Sequence, residues 1–336
     1  MIEPPVGPTL AELGEFGLID RLRAVFPLTA AVQVGPGDDA AVVRTPDGRV
    51  VATTDLLVEG RHFRLDWSSP RDVGHKAAAQ NLSDVAAMGA RPVALLVGLG
   101  APPTLPVDLA DELAAGLAAE CAVVGATVVG GDVVRSEALV VAVTALGDLD
   151  GRTPVLRSGA RAGDRLLVAG LLGGSAAGLA ALLAGEAEQV PGLVAAHRRP
   201  APPYAAGPLL ADAGATSLID VSDGFAADLG HVLRASGVGA VVDVSALPGH
   251  PDLGGAWALG RGSIEVSRWL TSGGEDHALV ATVAPGRADA AAKSCRSAGI
   301  PCAVVGEVDD SGLLRWVGLP DGADEPAGYD HFGGRP

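Results

Sequence analysis

The chain has 336 residues, 48% hydrophobic and 19% charged, a globular composition long enough for two domains with separate cores. Acidic residues outnumber basic ones by 40 to 24 and no Lys/Arg-rich block is present, which argues against nucleic acid as a partner. No apolar run approaches the ~20 residues of a membrane span, no basic stretch with an apolar core opens the chain, and Cys121, Cys295 and Cys302 match neither a disulfide framework nor a metal-ligand spacing, so a reduced cytoplasmic setting is expected.

A helix is predicted over residues 9–26, where Leu10, Leu13, Leu18, Leu22 and Val25 approximate one apolar stripe and Thr9 with Glu12 resembles a capping box. Short strands follow at 32–34, 40–44 and 50–55, because β-branched residues cluster there between Gly and Pro. Asp38, Asp39 and Asp55 are thereby expected at strand ends. Ser69-Pro70 opens a helix through Met88, stopped by Gly89 and Pro92. On it Lys76, Gln80 and Asp84 share a face, and Ala77, Ala78, Val85 and Met88 supply packing. A strand at 93–99, a helix at 105–123 and a strand at 127–129 lead into Gly130-Gly131-Asp132, and a strand at 139–146 follows.

Composition shifts to Gly, Arg and Asp around 147–163, which places a domain boundary between 1–148 and 149–336. Beyond it, strands at 165–169, 217–221, 240–244, 277–283 and 302–308 alternate with helices at 175–183, 204–213, 225–235 and 287–298. Residues 184–203, rich in Ala, Gly, Pro and Arg, read as a long surface connection. Mixed helices and strands with a break in mid-chain predict two α/β layers.

Acidic segments recur where apolar runs stop: Gly37-Asp38-Asp39-Ala40, Thr53-Thr54-Asp55, Asn81-Leu82-Ser83-Asp84, Gly130-Gly131-Asp132 and Asp220-Val221-Ser222-Asp223-Gly224. A crowded carboxylate is costly unless something neutralises it, and Lys and Arg are scarce within these segments. Hard divalent cations with oxygen ligands suit them, and Mg2+ commonly arrives carrying nucleotide phosphates. Thr53-Thr54-Asp55 offers three oxygen ligands in a row. Paired glycines at 130 and 131 would let the backbone approach a phosphate, and the N–H groups of Asp220–Gly224 would point at an anion. Each segment also has a plain reading as a turn or an N-cap. Gly173-Gly174-Ser175 opens a helix without a Lys, and is read as structural.

Taken in order, these segments resemble the thiamine-monophosphate kinase family, within the superfamily that includes aminoimidazole ribonucleotide synthetase. The resemblance is carried also by Glu59-Gly60-Arg61-His62-Phe63, Lys76 through Gly89, Arg157-Ser158-Gly159, Ser272-Gly273-Gly274-Glu275-Asp276 and Gly328-Tyr329-Asp330-His331-Phe332, and so spans nearly the whole chain. It implies a two-domain α/β (mixed α+β) fold of the aminoimidazole ribonucleotide synthetase type. The domain at 1–148 would bind ATP and Mg2+ and pair across a homodimer, and that at 149–336 would complete the nucleotide and substrate site. It implies ATP-dependent phosphorylation of thiamine phosphate to thiamine diphosphate.

By position, Asp39, Thr53, Thr54, Asp55, Asp84, Asp132, Asp220 and Asp223 resemble Mg2+ ligands, with Asp55, Asp84 and Asp223 acting electrostatically. Gly131, Asp132, Arg157 and Ser222 resemble nucleotide contacts, and His62, Glu275 and Tyr329 substrate contacts. These aspartates are expected to converge around one cavity, with no residue as general base. Two other readings stand beside this: another ATP-dependent synthetase of the superfamily, and a non-catalytic metal- or nucleotide-binding protein.

Overall fold

The protein is described by a computed structural model covering residues 8–13, 15–34, 41–258 and 261–328. Asp39 and Tyr329 lie outside the described residues. The chain divides into two compact units, residues 1–85 with 92–150, and residues 86–91 with 151–336.

The first unit runs α1 (Leu10–Leu13), α2 (Glu15–Arg23), β1 (Val32–Val34), β2 (Val42–Val43), β3 (Val51–Val58), α3 (Pro70–Ala87), β4 (Arg91–Ala101), α4 (Val107–Val124), β5 (Thr127–Arg135) and β6 (Val140–Asp148). The boundary between the units passes through the end of α3 and the start of β4. The predicted capping box forms: Thr9 N and Oγ1 both donate to Glu12 Oε2, at 2.8 and 3.0 Å. Four strands make a sheet in the order β3-β6-β4-β5, antiparallel between β3 and β6 and parallel between β4 and β5.

Two strands are longer than their sequence suggests. β3 continues three residues past Asp55 because Leu57 is a core residue, 1% exposed, so Asp55 lies inside the strand and not at its end. β5 passes straight through Gly130-Gly131-Asp132, where a loop is expected. Gly131 is required there by the neighbouring strand, since a Cβ would stand 1.9 Å from the Val97 carbonyl oxygen.

The second unit runs β7 (Arg165–Ala169), α5 (Gly174–Ala184), α6 (Pro191–Arg198), α7 (Ala206–Asp212), β8 (Ala215–Asp220), α8 (Phe225–Ser236), β9 (Gly239–Asp243), α9 (Leu253–Ala258), α10 (Ser263–Ser272), β10 (Leu279–Val283), α11 (Ala288–Ser297), β11 (Cys302–Asp309) and β12 (Leu314–Val317). Its six strands lie in the order β12-β9-β11-β7-β10-β8, with β12 parallel to β9 at one edge. The sheet is buried on both faces. Leu166 and Val168 of β7 pack in one core with Phe225 and Leu229, while Leu167 and Ala169 pack in another with Leu210 and Ala291. Such strands read as unbroken apolar runs, which is how the sequence presents them.

The connection expected over 184–203 contains a helix. Pro191 starts α6 where its missing N–H costs nothing, and Leu193, Val194 and His197 are buried. Its Ala- and Pro-rich composition hides an apolar face only two turns long. Among the described residues no helix is long and apolar enough to cross a membrane.

In the first unit α3 and α4 touch backbone to backbone. A Cβ on Gly74 would lie 1.9 Å from the Leu113 carbonyl oxygen, and one on Gly116 2.1 Å from that of Arg71. Gly to Ala in a helix interior ordinarily gains about 1 kcal/mol. Gly116→Ala is instead expected to destabilise by roughly 1–3 kcal/mol through overpacking. Urea unfolding checks this, and a raised midpoint would contradict the close helix contact.

Candidate active site

Strand alternation decides which oxygens of Thr53-Thr54-Asp55 face together. Thr53, Asp55 and the buried Leu57 point to the side of α3, where Thr53 Oγ1 donates to Asp84 Oδ2 at 2.7 Å. Thr54 turns to the opposite face, where its hydroxyl donates to the Val143 carbonyl at 3.0 Å and accepts from Thr144 Oγ1 at 3.1 Å. The three side chains do not form a row of ligands, because a strand presents neighbours to opposite faces.

Asn81 ties the strand that carries Asp55 to the helix that carries Asp84. It is fully buried in mid-helix, a poor place for an amide unless both its ends are used. Its Nδ2 donates to the Ala77 carbonyl at 2.9 Å, and its Oδ1 accepts from the Asp55 backbone N–H at 2.9 Å. β3 is an edge strand, and Asn81 satisfies a donor that the sheet leaves over. The amide thus sets the register of β3 against α3.

His62 follows β3 in the same unit. Its Nδ1 accepts from the Val58 N–H at 3.0 Å, and the buried Lys76 reaches its carbonyl oxygen at 3.4 Å. Gly131 and Asp132 are exposed on β5, at the other edge of the four-stranded sheet from β3. Three strand spacings separate the two edges, about 14 Å. Asp132 therefore cannot share one ion with Asp55 within a chain. Among the described residues no group of three or more His, Cys, Asp or Glu side chains is placed to hold a metal ion.

In the second unit, Asp220 ends β8 and is buried, with Oδ2 3.1 Å from His277 Nδ1. The N–H groups of Ser222 and Asp223 do not point at an outside anion. Both donate to Asp228 Oδ2, at 3.1 and 3.0 Å, so the chain supplies the anion itself. Burial pushes the Asp228 carboxyl up to about 7, with Asp220 adding to the rise. Arg157 is exposed beside the same region. The His231 ring is pushed down by burial and then by Arg234 and Arg157, while Asp223 pulls it up.

Gly274-Glu275-Asp276-His277 joins these pieces. Glu275 and His277 have φ of +63 and +52, strained for residues with a Cβ. The Glu275 and His277 N–H groups donate to the Ser222 and Val221 carbonyls, each at 2.8 Å. Asp276 closes the N-terminus of α5: Oδ2 accepts from Gly173 N at 2.6 Å and Oδ1 from Ser175 N at 3.0 Å. Gly173-Gly174-Ser175 is thus occupied structurally, in keeping with its sequence reading. Asp228 and His277 gave no sequence signal beyond proximity to an acidic segment, and Asn81 and Asp276, though within the quoted motifs, gave no sign of these roles, since their partners are distant in the chain.

Models of two domain families match the chain: AIR synthase related protein, N-terminal domain, over residues 37–149, and AIR synthase related protein, C-terminal domain, over residues 161–317. The thiamine-monophosphate kinase of Mycobacterium tuberculosis is 52% identical over 274 residues, 82% of each chain. That of Escherichia coli K12 is 36% identical over 338 residues, covering 95% of this chain and 98% of the relative. Among solved structures, the thiamine-monophosphate kinase of Stenotrophomonas maltophilia K279a aligns with a TM-score of 0.81 at 32% identity, covering 91% of this chain and 97% of that one. AaThiL complexed with AMPPCP and TMP aligns with a TM-score of 0.75 at 31% identity, covering 98% and 100%.

Two outcomes follow from this geometry. Asn81→Leu strands the Asp55 N–H, at a cost of about 1–3 kcal/mol, read as a lower denaturant midpoint; an unchanged midpoint would contradict the bracket. Burial pushes the Asp276 carboxyl up to about 7 against the pull of the Ser175 and Gly173 N–H groups. The folded state then holds the proton more tightly than the unfolded chain, so this contribution to stability is full below the ordinary carboxylate value and lost as pH rises through about 7. Thermal unfolding between about pH 5 and about pH 8 is expected to show the protein losing stability relative to Asp276→Asn as pH rises, and a gain would contradict it.

Proposed function

The chain belongs to the thiamine-monophosphate kinase family, and on that premise we propose that it transfers the γ-phosphoryl group of ATP to thiamine phosphate, giving thiamine diphosphate and ADP. The observation that supports the reading at residue level is the contact of β3 with α3, through Thr53 with Asp84 and the Asp55 N–H with Asn81, which puts Asp55 and Asp84 on adjoining elements. Their oxygens are the donors assigned here to a cation-bound phosphate.

The donor chemistry fits Mg2+. All the acidic positions offer hard oxygens, and Mg2+ is commonly held by one or two carboxylates together with substrate phosphates, keeping the rest of its shell as water. Closed cages of three side chains are not needed for that. Asp39, Thr53, Asp55 and Asp84 in the first unit, Asp132 on its far edge, and Asp220 and Asp223 in the second are the residues that would hold such ions. Thr54, whose hydroxyl is turned away, is left out. Bound there, Mg2+ would supply charge neutralisation between donor and acceptor phosphates.

The acceptor, a phosphate monoester with second pKa of about 6, is already a nucleophilic anion at neutral pH. No general base is required of the chain. Its task is to bring two anions together, against a repulsion of about 4 kcal/mol for unit charges about 4 Å apart at an effective dielectric of 20. Asp55, Asp84 and Asp223 act electrostatically in that task. Gly131, Asp132, Arg157 and Ser222 contact the nucleotide. His62, Glu275 and Tyr329 are assigned as substrate contacts, and the chemistry of a tyrosine ring suits a cationic thiazolium.

The protein works as a homodimer through the first unit. The sheet face turned away from α3 exposes Leu56, Leu96 and Val134, and the register puts Ala142 beside Leu56. An apolar strip of this kind supports burial against a second copy. The three cysteines are buried and free, in keeping with a cytoplasmic setting.

A coupled assay of ADP release from Mg-ATP and thiamine phosphate tests the proposal, with and without Mg2+. Asp55→Asn and Asp84→Asn are each expected to lower turnover at least about a hundredfold while keeping the unfolding transition, as for removal of a charge that stabilises the transition state. Near-normal turnover in either folded variant would sink the assignment.

A further inference from the structure

The proposed substrate contact Glu275 has a second residue behind it. Its main chain is fixed: φ lies at +63, its N–H is held by the Ser222 carbonyl, and the following Asp276 and His277 are tied to α5 and to Asp220. Its side chain, one-third exposed, is the part that meets solvent and substrate. A carboxylate on a strained backbone has several rotamers open to it, and recognition of a cation needs one of them held in place.

His197 stands at that point. It lies in the last turn of α6, is 7% exposed, and has no place in the phosphoryl chemistry above. Its Nδ1 is 3.5 Å from Glu275 Oε2 and 3.1 Å from Ser175 Oγ. Ser175 is itself fixed, since its N–H donates to Asp276 at the capped start of α5. α6 in turn is pressed on α5, where a Cβ on Gly178 would come within 2.1 Å of the Leu193 carbonyl oxygen. Ser175, His197 and Glu275 therefore form one chain of polar contacts running from a rigid helix start to the exposed carboxylate. A buried imidazole in such a chain can be replaced structurally by any well-packed ring, but its Nδ1 cannot.

We propose that His197 is a positioning residue that orients the Glu275 carboxylate, and thereby sets affinity for a substrate carrying a quaternary ring nitrogen. This rests on Glu275 contacting that substrate.

The test uses the full chain with Mg-ATP and thiamine phosphate. His197→Phe keeps the ring volume and removes the nitrogen, whereas His197→Asn keeps an amide close to the Nδ1 position. His197→Phe is expected to raise KM for thiamine phosphate about tenfold, the loss of one polar contact to a charged group, and to leave KM for ATP unchanged. His197→Asn is expected to restore most of the affinity, and His197→Phe added to Glu275→Gln to raise KM little further. If His197→Phe does not fold, His197→Gln, whose amide falls near Nε2 instead, takes its place. An unmoved KM for thiamine phosphate, an equal rise for ATP, or a full additional loss in the Glu275→Gln background overturns the role of His197. Failure of the unsubstituted protein to release ADP with thiamine phosphate overturns the reaction itself, and is a separate result.

Discussion

A fully buried amide, Asn81, is the contact on which the first half of the proposed site depends. Its oxygen holds the Asp55 N–H and its nitrogen holds the Ala77 carbonyl, so the edge strand and the helix keep one register. Thr53 on the same strand donates to Asp84, so the Asp55 backbone and the Asp84 carboxylate are tied into one contact between β3 and α3. In the proposed reaction, Asp55 and Asp84 on this strand and helix would offer oxygen ligands to the cations that screen two phosphate-bearing reactants from each other.

The second unit solves a related problem in another way. Two helix starts, of which the one at Asp220–Gly224 reads as an anion site in sequence, are closed by the chain's own acids, Asp228 below Ser222 and Asp223, and Asp276 below Gly173 and Ser175. Each carboxylate receives two backbone N–H groups, and burial still pushes each carboxyl up to about 7. The backbone around Asp220–Gly224 and Gly274–His277 is thereby braced from below, and what these loops present outward are side chains: Ser222, Asp223 and Glu275. Positive φ at Glu275 and His277 shows that the bracing imposes conformations the residues do not favour alone.

Much of this fold was legible in the chain because its strands are continuous apolar runs and its helices carry clear stops. The capping box at Thr9, α3 from Pro70 and the alternation from β7 to β11 are all local signals. What was illegible depends on partners distant in sequence. Asp55 looked terminal because an acid after two hydroxyls resembles the end of a strand, yet Leu57 needed a core and drew the strand on. Gly130-Gly131 looked like a phosphate turn, yet the Val97 backbone demanded Gly131. α6 was hidden by Ala and Pro, and the roles of Asn81, Asp228 and Asp276 appear only once elements are packed. The thiamine-monophosphate kinase family was visible in the order of the acidic segments, whereas the separation of Asp132 from Asp55 across the sheet was not.

Central to the proposed function is direct transfer of a phosphoryl group onto a phosphate. Phosphorus NMR of the full chain with Mg-ATP and thiamine phosphate tests it most directly. Equimolar ADP and thiamine diphosphate, with no accumulation of inorganic phosphate, is the predicted result. ADP accompanied by inorganic phosphate, with thiamine phosphate left intact, would contradict it.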